Sequence, residues 1–213
     1  MEPPETTGGT ESRDLQYRRR ILSAASRLLA RNGIETVNMY QIAQEAGIGQ
    51  GTLYRRYEHT GEIYSELLNT SVDEVLTELE KVAADDSGQA SSSALKRLDD
   101  IVGRVVDYID SHAGLLSAIS GLYGKKKFLL HKRPVTDRLH NIIRTCLSRA
   151  AEQGEVRGID VTMTAHFMLA ALSPEQYLYH RDDLGYTRGQ YLSGFRCLFM
   201  EGIRARESGA ERG

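Results

Sequence analysis

The segment from Asn38 to Tyr57 constrains this chain more than any other. Asn38 is a good N-cap and Gln41 stands three residues on, a variant of the capping box in which each side chain satisfies a backbone N–H of the other residue. Ile42, Ala43 and Ala46 then share one face of a short helix, and Gly47 sits where a left-handed C-cap belongs. After the tight turn Gly47-Ile48-Gly49, a second helix is expected from about Gln50 to Tyr57, with Leu53 and Tyr57 turned inward. Two short helices joined by a glycine turn form a helix-turn-helix.

The rest of the chain reads as helix throughout, so the expected fold class is all-α. Asp14 is a plausible N-cap for a helix whose stripe is Ile21, Leu22, Ala25, Leu28 and Leu29, ended by Gly33. Residues 1–13, rich in Pro, Gly, Thr and Glu, are expected to form a disordered tail. Residues 14–60 make up the helix-turn-helix domain, and 61–213 a larger helical domain. That domain begins with the pattern Ile63, Leu67, Leu68, Val72, Val75, Leu76 and Leu79, followed by a surface loop from Asp85 to Ser93. A helix carrying Leu95 to Ile109 follows, then a short or kinked one within 115–131, where Gly121 and Gly124 interrupt the apolar run. Pro134 suits the first turn of a helix through Leu139, Ile143 and Leu147. Helices at about 160–172 and 187–206, with a short segment at 175–181, complete the chain.

A helix-turn-helix solves a physical problem: a short helix must lie in the major groove with its first residues at base edges while its neighbours grip phosphates. Gln50 can bond adenine in two places, Thr52 offers a hydroxyl or a methyl, and Gly51 lets the backbone approach. Tyr54, Arg55 and Arg56 follow at positions that reach the flanking backbone, and Asn38 and Met39 start the preceding helix. Net charge is only −2, but between Leu15 and Thr60 seven arginines face three glutamates, a local excess of +4. A basic module on a mildly acidic body is the footprint of a domain that meets phosphate. For Arg18, Arg19 and Arg20, a solvated helix face and a phosphate contact fit equally well.

The run TVNMYQIAQEAGIGQGTLYRRYEHTGEIYSEL, from Thr36 to Leu67, resembles the DNA-binding signature of the tetracycline-repressor (TetR) family of bacterial regulators. Its most specific part is IAQEAGIGQGTLYRRY; the preceding RRRILSAASRLLARNG also matches, and FRCLFMEGI at Phe195 to Ile203 is similar to the family's final dimerisation helix. The resemblance implies that Gln50, Thr52 and Tyr54 face DNA, that Arg55 and Arg56 support them on phosphate, and that Tyr57 is core where the family usually has Phe. Three positions depart from the family pattern. Asn38 replaces a Thr cap, Gly49 stands where Ser is common, and Thr60-Gly61 occupies the place of a Lys-acid pair, so a phosphate-binding ammonium is missing at Thr60.

The same resemblance implies a homodimer on a palindromic operator in double-stranded DNA, because one short helix reads only a few base pairs and two half-sites must be spanned. The expected interface draws on Ala165, Leu169 and Leu172 of one helix and Tyr191, Phe195, Leu198, Phe199 and Gly202 of the last. It further implies a small-molecule effector held among Tyr108, His112, Leu116, Ile119, Tyr123, Phe128, Ile143, Phe167, Met168 and Tyr177, although any one residue of these types is more often part of an ordinary core. The cluster Lys125, Lys126, Lys127, His131, Lys132 and Arg133 fits a solvated loop, an anionic effector or an acidic partner.

An enzyme is not expected. The sequence has no Gly-rich phosphate loop, no HExxH and no GxSxG, and its six histidines lack metal-ligand spacing, so neither cofactor nor metal is anticipated. Cys146 and Cys197 lie far apart, outside any CxxC pair, and fit reduced thiols. With no secretory signal after Met1 and no long apolar run, a soluble cytoplasmic protein with no membrane partner is expected. The functional expectation is a ligand-responsive transcriptional regulator, a repressor released by its effector. The alternatives are an activator of the same fold, or an interaction protein that no longer binds DNA.

Overall fold

The computed structural model describes residues 8–84, 93–123 and 134–204. Among these the secondary structure is helical, and the only pairing of extended backbone is an isolated antiparallel bridge between Val156 and Arg204. The described residues up to Ser71, with those at 117–123, form one compact unit; those from Val72 to Leu116 and at 134–204 form a second.

In the first unit α1 (Gly8–Asn32) is followed by a 3-10 turn (Ile34–Thr36), then α2 (Met39–Glu45) and α3 (Gln50–Tyr54). Helix α1 starts at Gly8, six residues before the expected cap at Asp14, because each residue added to an existing helix brings its own hydrogen bond. Residues 1–7 of the expected tail lie outside the described residues. Asp14 instead pairs with Arg56. The core gathers Ile21, Ala25 and Leu28 from α1, Ile42 and Ala43 from α2, Leu53 from α3, and Tyr57. Ile63, on α4 (Thr60–Ala84), completes it with Leu67 packed alongside. That packing carries the unit past the expected boundary at residue 60.

The second unit takes the C-terminal part of α4, then α5 (Ala94–Ser111), α7 (Pro134–Glu152), α8 (Val161–Ala171), α9 (Pro174–Leu178) and α10 (Arg188–Phe195); α6 (Ala113–Tyr123) begins in it. Helix α5 buries Leu95, Leu98, Ile101, Val102, Val105, Val106 and Ile109, the i, i+3, i+4, i+7 stripe that drives one face out of water. Helix α7 packs against both α5 and α8. Arg188 pairs with Asp107 and Arg196 with Asp99 at 2.6 Å, so two bridges eight residues apart run α10 antiparallel to α5. From Arg138 on α7, the Nε and Nη2 atoms donate to Glu80 at 2.7 and 2.9 Å, and Asp73 also pairs with it.

The final helix is not uniformly α. Its α-helical part gives way at Arg196–Glu201 to a π-helical segment, closed by Gly202 N–H donating to Cys197 C=O at 3.2 Å. A similar segment at Tyr179–Asp183 extends α9. The loop expected at Asp85 to Ser93 lies, apart from Ser93, outside the described residues, as do the whole Lys125 to Arg133 cluster and residues 205–206.

The expected dimer residues divide. Ala165, Leu172 and Phe195 are buried within the protomer, at 0%, 2% and 5% exposure, so they hold its own core together. Leu169 and Phe199 are half-buried against that core, and Tyr191 donates its hydroxyl to Ala171 C=O while meeting Tyr177 edge-on. Only Leu198 and Gly202 are exposed.

Candidate nucleic-acid interface

The turn between α2 and α3 is built from both sides. Asn38 N–H donates to Gln41 Oε1 and Gln41 N–H to Asn38 Oδ1, both at 3.0 Å, so the expected capping box closes. At the other end Gly47 has φ +61°, a left-handed backbone that glycine adopts without strain. Arg20 of α1 fills the space where a side chain at Gly47 would sit: its Nη2 lies 3.0 Å from an added Cβ and donates to Ala46 C=O and Gly47 C=O, each at 2.7 Å. Arg20 therefore satisfies the carbonyls at the end of α2, a role that neither reading of its position had included.

Helix α3 opens from Gly49 in extended conformation, which supplies no side-chain cap. Leu53 is fully buried while Gln50, Gly51, Tyr54 and Arg55 are exposed and Thr52 is half-buried, so the outer face consists of the residues suited to base edges and phosphate. Arg55 Nη2 lies 3.4 Å from Thr52 Oγ1 and has no carboxylate partner among the described residues.

Two members of the expected site point elsewhere. Met39 is 8% exposed and belongs to the helix-turn-helix core, because it lies on the same face of α2 as Ile42 and Ala43. Arg56 is half-buried: it pairs with Asp14, donates to Thr52 C=O at 3.2 Å, and its guanidinium lies 4.9 Å from the centre of the Tyr17 ring. Those contacts hold the end of α3 against α1 and remove Arg56 from the phosphate-facing set. Thr60, the first residue of α4, is half-buried and interacts with Tyr64.

The +4 excess is largely internal. Arg27 and Arg31 share Glu45 at 2.8 and 2.6 Å, Arg18 pairs with Glu66, Arg56 with Asp14, and Arg20 serves carbonyls. Of the seven arginines counted between Leu15 and Thr60, Arg19 and Arg55 remain without a carboxylate partner or carbonyl acceptor among the described residues. Tyr40, 59% exposed on α2, is a contact candidate the sequence reading missed. The signal was available, since Met39, Ile42 and Ala43 fix the inner face and Tyr40 lies one position round from it.

Tyr57 is buried as expected but keeps a polar tie. Its hydroxyl donates to Glu66 Oε2 at 2.6 Å, and Arg18 holds the other oxygen of that carboxylate. Burial, then the adjacent carboxylate, push the phenol well above its ordinary range, so it remains a donor at any physiological pH.

Among the described residues, the expected effector positions differ in burial. Ile143, Met168 and Tyr177 are buried at 0 to 1% in the second core, and Phe167 points outward at 60% exposure because α8 turns Met168 and Ala165 inward. Tyr108 and His112 stack with ring centres 4.1 Å apart and are half-buried, as are Leu116 and Ile119. Neither the Tyr123 side chain nor Phe128 is among the described residues. An open cleft of about 610 Å³ in the second unit lies elsewhere, bordered by Ser93, Lys96, Asp99, Glu155, Arg196 and Met200. Glu155 is already engaged there, accepting the N–H groups of Ala94 and Leu95 at 3.1 and 2.8 Å.

Residues 21–67 match the model of the bacterial regulatory proteins of the tetR family. The chain is 30% identical over 113 residues to the uncharacterized HTH-type transcriptional regulator YfiR of Bacillus subtilis, an alignment spanning 53% of this chain and about half (52%) of YfiR. It is 22% identical over 190 residues to the HTH-type transcriptional regulator SAR0097 of Staphylococcus aureus, covering 88% of this chain and 95% of that one. In fold it is similar to Thermus thermophilus FadR, a TetR-family repressor solved with lauroyl-CoA, at TM-score 0.61 and 18% identity over 92% of this chain and all of that one. Residues 21–67 therefore carry the match to the tetR family of bacterial regulatory proteins, and the helices described after them share the fold of a solved TetR-family repressor.

Proposed function

We propose that the protein is a homodimeric, DNA-binding transcriptional repressor released from a palindromic operator by a small molecule. The observation that carries the reading is the outer face of α3, where Gln50, Thr52, Tyr54 and Arg55 stand opposite a buried Leu53. Those are groups that bond base edges and phosphates, and among the described residues none of the four side chains is paired with a carboxylate. The dimer is supported by apolar side chains left in solvent on the second unit, Met163 at 52%, Phe167 at 60% and Leu198 at 70% exposure. Large apolar groups exposed on an otherwise well-packed protomer are what a second copy would cover if they form one patch.

An effector is proposed by analogy with FadR, whose structure holds lauroyl-CoA. A ligand that favours the form with its recognition helices out of register by about 3 kcal/mol lowers operator affinity about 150-fold. The test is a mobility shift against the protein's own upstream region across a salt series. A discrete, salt-sensitive complex that Arg55→Ala weakens is the expected result. Its absence on every promoter-derived fragment overturns the reading in favour of an interaction protein.

A further inference from the structure

Beneath the recognition helix lies a polar tie that the DNA-facing residues do not use. Helix α3 is only five residues long, too short to hold itself in place, and its backbone continues through Tyr57 N–H donating to Leu53 C=O at 3.0 Å. Tyr57 is 7% exposed, and its hydroxyl ends on Glu66 of α4. The second oxygen of Glu66 is held by Arg18 of α1, whose side chain is 54% exposed against 20% for Glu66. One carboxylate thus joins α1, α4 and the end of α3. The aromatic ring alone would fill the apolar site, so the hydroxyl and the half-buried carboxylate need a separate explanation.

We infer that Glu66 is a positioning residue that orders the recognition helix for DNA through Tyr57, so that operator affinity depends on a side chain that never touches the operator. This rests on the proposed DNA-binding function. A short helix left loose must be ordered at the moment of binding, and preorganisation removes that cost. Hydrogen bonds to a charged group are among the stronger ones, so releasing Tyr57 weakens binding by about tenfold. The sign is diagnostic, because deleting a negative charge near DNA by electrostatics alone tightens binding.

The experiment uses full-length protein and a double-stranded fragment of its own upstream region, followed by fluorescence anisotropy over a salt series. Hydrogen exchange on the free protein runs in parallel. Glu66→Gln and Tyr57→Phe should each weaken binding about tenfold with the salt slope unchanged, and the double variant should lose little more than either alone, since both break one tie. Exchange should quicken at the amides of residues 53–57 and stay as in the parent elsewhere. Unchanged or tighter binding, a changed slope, or exchange that quickens throughout the chain overturns the inference. If Glu66→Gln does not fold, Tyr57→Phe, which keeps the ring, carries the test. If the parent binds no fragment, the DNA-binding reading itself has failed; the exchange arm then decides whether the tie orders α3 at all.

Discussion

The guanidinium of Arg20 on α1 donates from Nε and Nη2 to the carbonyl of Ala46, at 3.1 and 2.7 Å, and so caps the helix that precedes the recognition helix. A basic residue beside DNA-reading helices invites assignment to phosphate, yet here it replaces hydrogen bonds that the end of α2 lacks.

Two arginines of the same domain should therefore behave differently. Arg20→Ala should lower stability by about 1–2 kcal/mol, the cost of stranding carbonyls that a charged donor had satisfied, and leave the salt dependence of operator binding unchanged. Arg55→Ala should leave stability within about 0.5 kcal/mol and reduce the slope of log K against log salt by about one. Denaturant titration and anisotropy over a salt series check both; a reduced slope for Arg20→Ala would assign it to DNA after all.

Thr60 occupies the start of α4, where the family resemblance places an ammonium. Thr60→Lys adds a positive charge at a helix N-terminus, unfavourable by about 0.3–1 kcal/mol for stability, while giving the protein one more phosphate contact. The expected outcome is a slightly lower melting temperature with tighter operator binding and a slope steeper by about one unit. A slope equal to that of the parent removes position 60 from the interface.

These cases show which parts of the chain could be read in advance. The capping box of Asn38 and Gln41, the left-handed Gly47 and the inward Leu53 are local, each set by residues within a turn of one another, and the structure has them as read. The fates of Arg18, Arg20 and Arg56 depend on Glu66, Ala46 and Asp14, which lie 48, 26 and 42 residues away, and a charge count has no access to such pairings. Phe167, exposed where an inward place was expected, has a different cause: helix α8 is apolar on several sides, so its pattern did not say which face was inside.

The second unit carries its own pH signature. The carboxyl of Asp110 is held below its ordinary range, first by the hydroxyl of Tyr177 and then by Arg181, while burial followed by Asp110 pushes the Tyr177 phenol up to about 12. A depressed carboxyl contributes stability that is present above about pH 4 and disappears as pH falls through its folded value; a raised phenol contributes below about pH 10 and is lost as pH climbs toward 12. Tyr177→Phe keeps the ring, removes the phenol's contribution and leaves Asp110 held by Arg181 alone. It should cost about 1 kcal/mol at pH 7, reduced because Asp110 is partly solvated, shift acid unfolding to higher pH, and flatten the loss above pH 10. Unfolding midpoints from pH 3 to 11 test this, and parallel curves for parent and variant refute it.

The two cysteines give a probe of assembly. Burial raises the Cys146 thiol to about 11, so at pH 8 it is neither accessible nor ionised, whereas Cys197 is exposed beside Leu198 on the last helix. In dilute protein one thiol per chain should react with a small disulfide reagent and the second only on unfolding. If two protomers meet through the exposed side chains of α8 and the final helix, raising the protein concentration should slow Cys197 labelling as dimer forms. Phe167→Arg or Leu198→Arg, which set a charge where desolvation is required, should keep the protein monomeric in equilibrium sedimentation and restore fast labelling at every concentration. Because both side chains are more than half exposed in the protomer, the variants should fold with stability within about 0.5 kcal/mol of the parent, which separates lost assembly from lost folding. Dimers that persist in both variants, or Cys197 labelling independent of concentration in the parent, place the interface on another face.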